Sequence, residues 1–265
     1  MRGVVLVVVL AACGHVGFDA RVGDGDADGG GASDSDSGSD SGSSVPGLVG
    51  WWKLDEGTGT VAADSSGTGN NGTLSGAATW VAGESGDAVA FAGDGMNAEV
   101  DVPDNVTLQL AGSWTVAAWV KLAALPAATT YDTVACKSTA GGFATYNLLV
   151  DNGHVSSGVG WMIAYNGNCG VANAKSPAPQ LGAWTHVAGV FDASAMNVAI
   201  YVDGVAAAVV DETGCPPAHT GSGEDFTIGT EYGGGVTVLD GAADDVRVYD
   251  RALSAPEIQT IMAGG

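Results

Sequence analysis

The side chains best able to do chemistry in this sequence are carboxylates. Segment 99–104 reads EVDVPD and sets Glu99, Asp101 and Asp104 within six positions. Retaining cleavage of a glycosidic bond needs two carboxyls about 5–5.5 Å apart, one as nucleophile and one as acid. Extended-chain alternation instead puts Glu99 and Asp101 in one solvent-facing row. Pro103, which has no N–H to give a central strand, precedes Asp104. Nucleophilic catalysis has less to work with. His15, His154, His186 and His219 are scattered, and no serine occupies a Gly-x-Ser-x-Gly turn before a helix. His186, in WTHVAGV, reads as a packed strand residue. The glycine clusters do not join a strand to a helix with a dinucleotide fingerprint, so no organic cofactor is expected.

A different chemistry is offered by the stretch ADSSGTGNNGTL that begins at residue 63. Calcium takes six to eight oxygen ligands, and glycines let backbone carbonyls turn inward at low steric cost. Asp64 offers a carboxylate, Asn70 or Asn71 an amide oxygen, and the chain around Gly67 and Gly69 further carbonyls. The alternative is that Asp64 caps a turn through its own side chain.

Aromatic side chains point to a third possibility. In VGWMIAYNGN, alternation sets Trp161, Ile163 and Tyr165 on one strand face and Met162 with Ala164 on the other. Trp161, Tyr165 and Asn166 can line a surface for glycans, because aromatic faces stack on sugar faces and amides bond hydroxyls. The competing assignment places these aromatics in a core. Trp51 and Trp52, being adjacent, must face opposite ways. Trp119 and Trp184 are expected inside.

The elements that would position these groups are short runs rich in Val, Thr, Trp and Tyr, separated by Gly, Asn and Asp. Strands are expected at 48–54, 88–92, 99–102, 114–121, 133–137, 146–151, 160–165, 185–191, 198–203, 205–210, 226–229 and 243–249. Such spacing indicates an all-β antiparallel sandwich. Asp203-Gly204 is a two-residue hairpin signal, and Ser254 with Glu257 forms a capping box before one short C-terminal helix. With 265 residues, 46% of them hydrophobic, one domain of ordinary size is expected.

Thirty acidic residues against eight basic ones leave a formal charge of -22, a surface that repels nucleic acid and anionic lipid. Segment 1–14, MRGVVLVVVLAACG, places Arg2 before an apolar run too short to span a bilayer. Small residues before Cys13 resemble a bacterial lipoprotein box. That resemblance implies a signal peptide over 1–12, lipidation of Cys13 and an outer-membrane location. Residues 13–46, rich in Gly, Asp and Ser, read as a disordered tether. Of the remaining cysteines, Cys169 and Cys215 lie in polar loops where export permits oxidation, and a disulfide between them is favoured. Cys136 sits within a strand as a buried thiol.

The segments GLVGWWKLDEGTGTVAADSSGTGNNGTL, WTVAAWVK, WTHVAGVFD, VAIYVDG and DDVRVYDRALSAPEI follow one another as they do in laminin-G-like jelly-roll domains. From about residue 48 to 262 the chain resembles that family, which implies a concanavalin A-like sandwich of two antiparallel sheets over 47–265. Related folds carry a calcium that also takes an acid just before the last strand, which implies Asp244 or Asp245 as partners of Asp64, Asn70 and Asn71. EVDVPD resembles the Glu-x-Asp-x-x-Glu signature of laminarinase-type glucanases, but Asp104 replaces the longer acid, and valine-aspartate-valine-proline strands occur in laminin-G-like domains that are not hydrolases. The resulting expectation is a lipid-anchored, noncatalytic module with a structural calcium ion that recognises a glycan or a cell-surface protein. A glycoside hydrolase using Glu99, Asp101 and Asp104, or a purely structural surface protein, is the alternative.

Overall fold

The computed structural model describes residues 45–92, 97–138, 144–217, 223–231 and 237–265. The expected signal peptide, Cys13, the tether through residue 44 and His219 lie outside the described residues. In chain order the strands are β1 (Leu48–Trp52), β2 (Val61–Ala62), β3 (Gly72–Ser75), β4 (Thr79–Ala82), β5 (Asp87–Ala92), β6 (Glu99–Val102), β7 (Trp114–Leu122) and β8 (Thr130–Ser138). They continue as β9 (Ala144–Asn152), β10 (Val159–Gly167), β11 (Gly170–Lys175), β12 (Trp184–Asp192), β13 (Asn197–Val202), β14 (Val205–Asp211), β15 (Phe226–Ile228) and β16 (Asp240–Tyr249), with α1 (Ala255–Met262) last.

Two antiparallel sheets result. The first runs β14-β13-β12-β7-β16-β5-β4, with β1 also paired to β16, and the second runs β11-β10-β9-β8-β15-β6-β3-β2. All twelve expected strands form. The sequence reading missed β2, β3, β4 and β11, whose sequences VA, GTLS, TWVA and GVANAK are too short or too rich in small residues to show a period. The hairpin at Asp203-Gly204 takes positive φ at both residues (48° and 73°), as a mirror-image turn requires. The capping box of α1 is formed, with Glu257 accepting from both the Ser254 amide and hydroxyl.

Alternation sends every second side chain into the space between the sheets. Val116, Ala118, Val120 and Leu122 of β7 meet Leu148 and Val150 of β9 and Ile163 of β10 there. Trp52 stacks on Phe226 with ring centres 5.0 Å apart, and Trp114 packs against Tyr146, Tyr165 and Phe191. Gly189 of β12 lets the sheets approach, because a Cβ there would lie 2.5 Å from Ile163 Cδ1. A second apolar cluster covers the outer face of the first sheet, where Ile258 and Ile261 of α1 pack on Ala117, Ala188, Val190 and Ala199. Val45 joins it, so the folded body already includes the first described residue.

The same alternation corrects the assignment of Trp119 and Trp184. They point outward from the first sheet and are half-buried, Trp119 paired with His186 and Trp184 with Lys121. Both lie out of phase with the inward set at 116, 118, 120 and 122. Trp51 is the half-buried member of its pair, with the Lys53 ammonium and the Arg247 guanidinium each 4.4 Å from its ring centre.

Candidate functional site

The loop at Asp64 holds itself. One Asp64 oxygen accepts from the amides of Trp51 (3.0 Å) and Ser66 (2.9 Å); the other accepts from the Ser66 and Thr68 hydroxyls and the Asn70 amide (each 2.9 Å). Burial pushes this carboxyl up, but the bonds from Ser66, Asn70 and Trp51 outweigh it and hold the group below the ordinary aspartate value. The Asn71 side-chain oxygen accepts the Asp64 amide at 2.8 Å. The Asn70 amide nitrogen donates to Val49 O, Thr68 and Thr107, which leaves its own side-chain oxygen buried and without a partner among the described residues.

The two acids near the last strand separate. A bulge in β16 between Asp244 and Arg247, with Asp245 at φ 49°, turns these neighbours to different partners. Asp244 accepts from the amides of Glu84 (2.9 Å) and Ser85 (3.2 Å). Burial raises its carboxyl to about 6 against those two bonds, and the charges of Asp245 and Asp55 add to the rise. Asp245 accepts the Trp51 indole N–H and the Arg247 Nε–H. Asp64 and Asp245 therefore grip the same tryptophan, one by its amide and the other by its ring nitrogen. Among the described residues no group of three or more His, Cys, Asp or Glu is set to hold a metal. The donor set at Asp64 fits a turn-capping carboxylate whose oxygens are already taken by N–H and O–H groups.

Replacing Asp64 with Ala is expected to cost about 3 kcal/mol, since several of its donors lose a charged acceptor together. The loss should be equal in calcium and in chelator when followed by thermal unfolding. A calcium-dependent difference would assign the loop the role of an ion site. Because the folded carboxyl lies below its ordinary value, its stabilisation is present above that value and fades as pH falls through the folded one.

The most unusual chemistry lies on the outer face of the second sheet. Cross-strand pairing puts Thr133 opposite Leu149, Cys136 opposite Asn147 and Thr227, and Thr227 opposite Asp101. Asp101 in turn faces Thr73, and Glu99 faces Ser75. Its part on β8, β9 and β15 is buried, yet Thr133 Oγ1, Ser138 Oγ, Thr145 Oγ1 and Asn147 Oδ1 find no hydrogen-bond partner among the described residues. Buried polar atoms are nearly always paired, so four neighbours without partners on one sheet face call for a ligand or ordered water. Leu149, Met162 and Ala164 form a small buried apolar cluster at one side, with Tyr131 and Val155 packed against it.

Acids close the other side. Burial pushes the Glu99 carboxyl up against the Ser75 hydroxyl bond (3.2 Å), and the charges of Asp101 and Asp225 push it the same way. Burial and Asp225 likewise raise Asp101. Asp104 is engaged elsewhere, forming an ion pair with the buried Lys137 at 2.5 Å and accepting from Gln109 at 2.7 Å. Cys136 lies in this face as a buried free thiol, raised by burial and by the charge of Glu231.

The three proposed ligand residues divide. Trp161 (1% exposed) and Tyr165 (0%) face inward with Ile163; the period was read correctly, but the face is the interior one. The Tyr165 hydroxyl donates to Cys215 O at 2.7 Å. Asn166 points outward and pairs with Val171 near the β10–β11 turn. The Cys169–Cys215 disulfide is formed as expected.

Two antiparallel sheets packed face to face, one covered by a helix and the other presenting a polar face, define a β-sandwich of the lectin type. A laminin G-type profile of the concanavalin A-like lectin/glucanases superfamily matches residues 93–259, more than half of the chain, and the protein belongs to that superfamily. The fold is similar to domain 4 of an extracellular arabinanase from Geobacillus stearothermophilus, solved in complex with arabinotriose. That match has 18% identity and a TM-score of 0.62 over 81% of this chain and 98% of that one. It is also similar to the binding domain of Paraclostridial Mosquitocidal Protein 1, with 11% identity and a TM-score of 0.66 over 82% of this chain and 52% of that one. Trypanosoma rangeli sialidase in complex with sialic acid gives 20% identity and a TM-score of 0.62 over 83% of this chain and 33% of that one. The chain thus spans about half of the second protein and a third of the third. No curated protein matches it in sequence.

Proposed function

We propose that the protein is a noncatalytic recognition module that binds neutral glycans on the outer face of the second sheet. The observation that carries this reading is the set of unpartnered polar atoms on Thr133, Ser138, Thr145 and Asn147. Sugar hydroxyls donate and accept at once and so suit mixed hydroxyl and amide groups. The acids at one side and the charge of -22 disfavour anionic sugars. The likeness to an arabinanase domain that holds arabinotriose supports the substrate class. Lipid anchoring through Cys13, with the segment to residue 44 as tether at an outer membrane, completes the proposal.

A glycan array should return neutral oligosaccharides, and Asn147→Ala or Thr145→Val should weaken the best of them about tenfold with little change in unfolding midpoint. An array without neutral hits would favour a purely structural surface protein. The hydrolase reading retains one supporting observation, the upward-shifted pair Glu99 and Asp101. Release of reducing sugar from a β-glucan, abolished by Glu99→Gln, would replace binding with catalysis.

A further inference from the structure

Helix α1 covers one part of the outer face of the first sheet, packing on Ala117, Ala188 and Ala199. Another part of that face carries Trp184, which stays half-buried. Val89 and Phe91 of β5, Val120 and Leu122 of β7, Val187 and Phe191 of β12 and Ala243 of β16 point into the core, so alternation turns Ala90, Lys121, Trp184 and Ala242 outward. Strand pairing joins these four in one row: Ala90 lies opposite Ala242, Ala242 opposite Lys121, and Lys121 opposite Trp184. Three strand spacings make the row ~14 Å long. A cavity of about 500 Å³ opens on it and is lined also by Val81 and Asp240. The strand order β4-β5-β16-β7-β12 sets Ala90 and Ala242 between Val81 on one flank and Lys121 with Trp184 on the other, a trough with small side chains at its centre. Its backbone is fixed. The Gly182 amide donates to Leu122 O at 2.8 Å just before Trp184, and Asp240 O accepts the Ala123 amide at 2.8 Å.

We propose that this trough is a binding site for a neutral oligosaccharide, separate from the face of the second sheet. An outward indole beside small side chains suits the C–H face of a sugar ring. Lys121 supplies the donor. Lys137, Lys175, Arg247 and Arg251 are each ion-paired and Lys53 lies over Trp51, whereas the exposed Lys121 has neither kind of partner among the described residues. Its ammonium is therefore open to a sugar oxygen. Asp240, two residues before Ala242 and so on the same face, accepts from a hydroxyl. One ammonium and one carboxylate leave the lining without net charge, and the overall charge of -22 disfavours an anionic sugar there. The volume falls in the range of small-ligand sites.

The test uses the 15N-labelled whole protein, whose seven tryptophans give countable indole N–H signals; the Trp184 signal is the one missing from Trp184→Phe. Arabinotriose and cellotriose are titrated to about 10 mM, with sialyllactose as the anionic counterpart. At least one neutral sugar should move the Trp184 signal saturably while sialyllactose does not. Ala90→Leu, which fills the trough from an outward position, should weaken that response by about tenfold or more with the unfolding midpoint unchanged, and Lys121→Ala should weaken it about fivefold. The response should survive Asn147→Ala, which separates this site from the face of the second sheet. An unmoved Trp184 signal with both neutral sugars overturns the proposal, as does a response that keeps its full strength in Ala90→Leu or one that Asn147→Ala abolishes. Sugar binding that Asn147→Ala removes while Trp184 stays silent supports the sheet-face reading and overturns this one.

Discussion

Removal of the Cys169–Cys215 bond, by paired Cys169→Ala and Cys215→Ala, should lower the unfolding free energy by about 4 kcal/mol. The separation of 46 residues sets that figure, because closing a loop of this length restricts the unfolded chain by roughly this amount. The bond joins two sheets at their open ends. Cys169 lies in the turn between β10 and β11, the edge of the second sheet, and Cys215 follows β14, the edge of the first. The edges are further linked by the Asn168 amide donating to Pro216 O at 3.0 Å and the Asn173 amide donating to Glu212 at 3.2 Å. Without the covalent link these contacts must hold alone, and β11 and β14 should open before the rest. Denaturant unfolding of oxidised and variant protein measures the loss; hydrogen exchange should place the earliest opening at 170–175 and 205–211. A loss below about 1 kcal/mol would mean that the noncovalent contacts hold the edges by themselves. Cys136 offers no replacement partner, being buried in the second sheet with its thiol pushed up by burial.

The fold was legible because its signals are local and repeated. Alternation in WTVAAWVK and WTHVAGVFD fixes which residues share a face, and Asp203-Gly204 and Ser254 with Glu257 fix a turn and a helix start. What alternation cannot state is which face is the interior. Trp161 and Tyr165 were grouped correctly with Ile163, yet an inward face turned the trio into core, while Trp119 and Trp184 went outward on the same rule. The choice depends on the partner sheet, and hence on contacts far apart in sequence. The loop at Asp64 shows a different limit. Its composition suits a cation or a self-capped turn equally; five donors surround the carboxylate in the structure, and the comparison of calcium with chelator is what separates the two. The unpartnered row at Thr133, Ser138, Thr145 and Asn147 had no sequence signal, because each residue is ordinary and the deficit appears only when β8 and β9 are paired.

Replacement of His186 by Phe should turn the protein's stability upward in mild acid. His186 is 2% exposed, edge-on to Trp119 at 5.4 Å, and its Nδ1 has no partner among the described residues. Burial lowers its pKa to about 4, and the charge of Arg247 acts in the same direction. The unfolded chain takes up a proton near the ordinary value of 6.5, which the folded protein refuses until about 4. Stability from this group is therefore complete above 6.5, falls as pH drops, and is lost by about 4, to a limit of about 3 kcal/mol. Asp132 and Asp244 act oppositely. Burial raises both to about 6, helped by the charge of Asp240 at the first and of Asp245 and Asp55 at the second. Their penalty is present above 6 and is relieved as pH falls toward 3.8. At these three groups the two trends offset each other between pH 7 and 5. His186→Phe keeps the aromatic contact with Trp119 and removes only the downward trend, so the variant should gain about 1–2 kcal/mol on going from pH 7 to 5. Urea midpoints of both proteins at the two pH values decide the matter: a variant whose change equals the parent's would mean that His186 takes up its proton inside the folded protein.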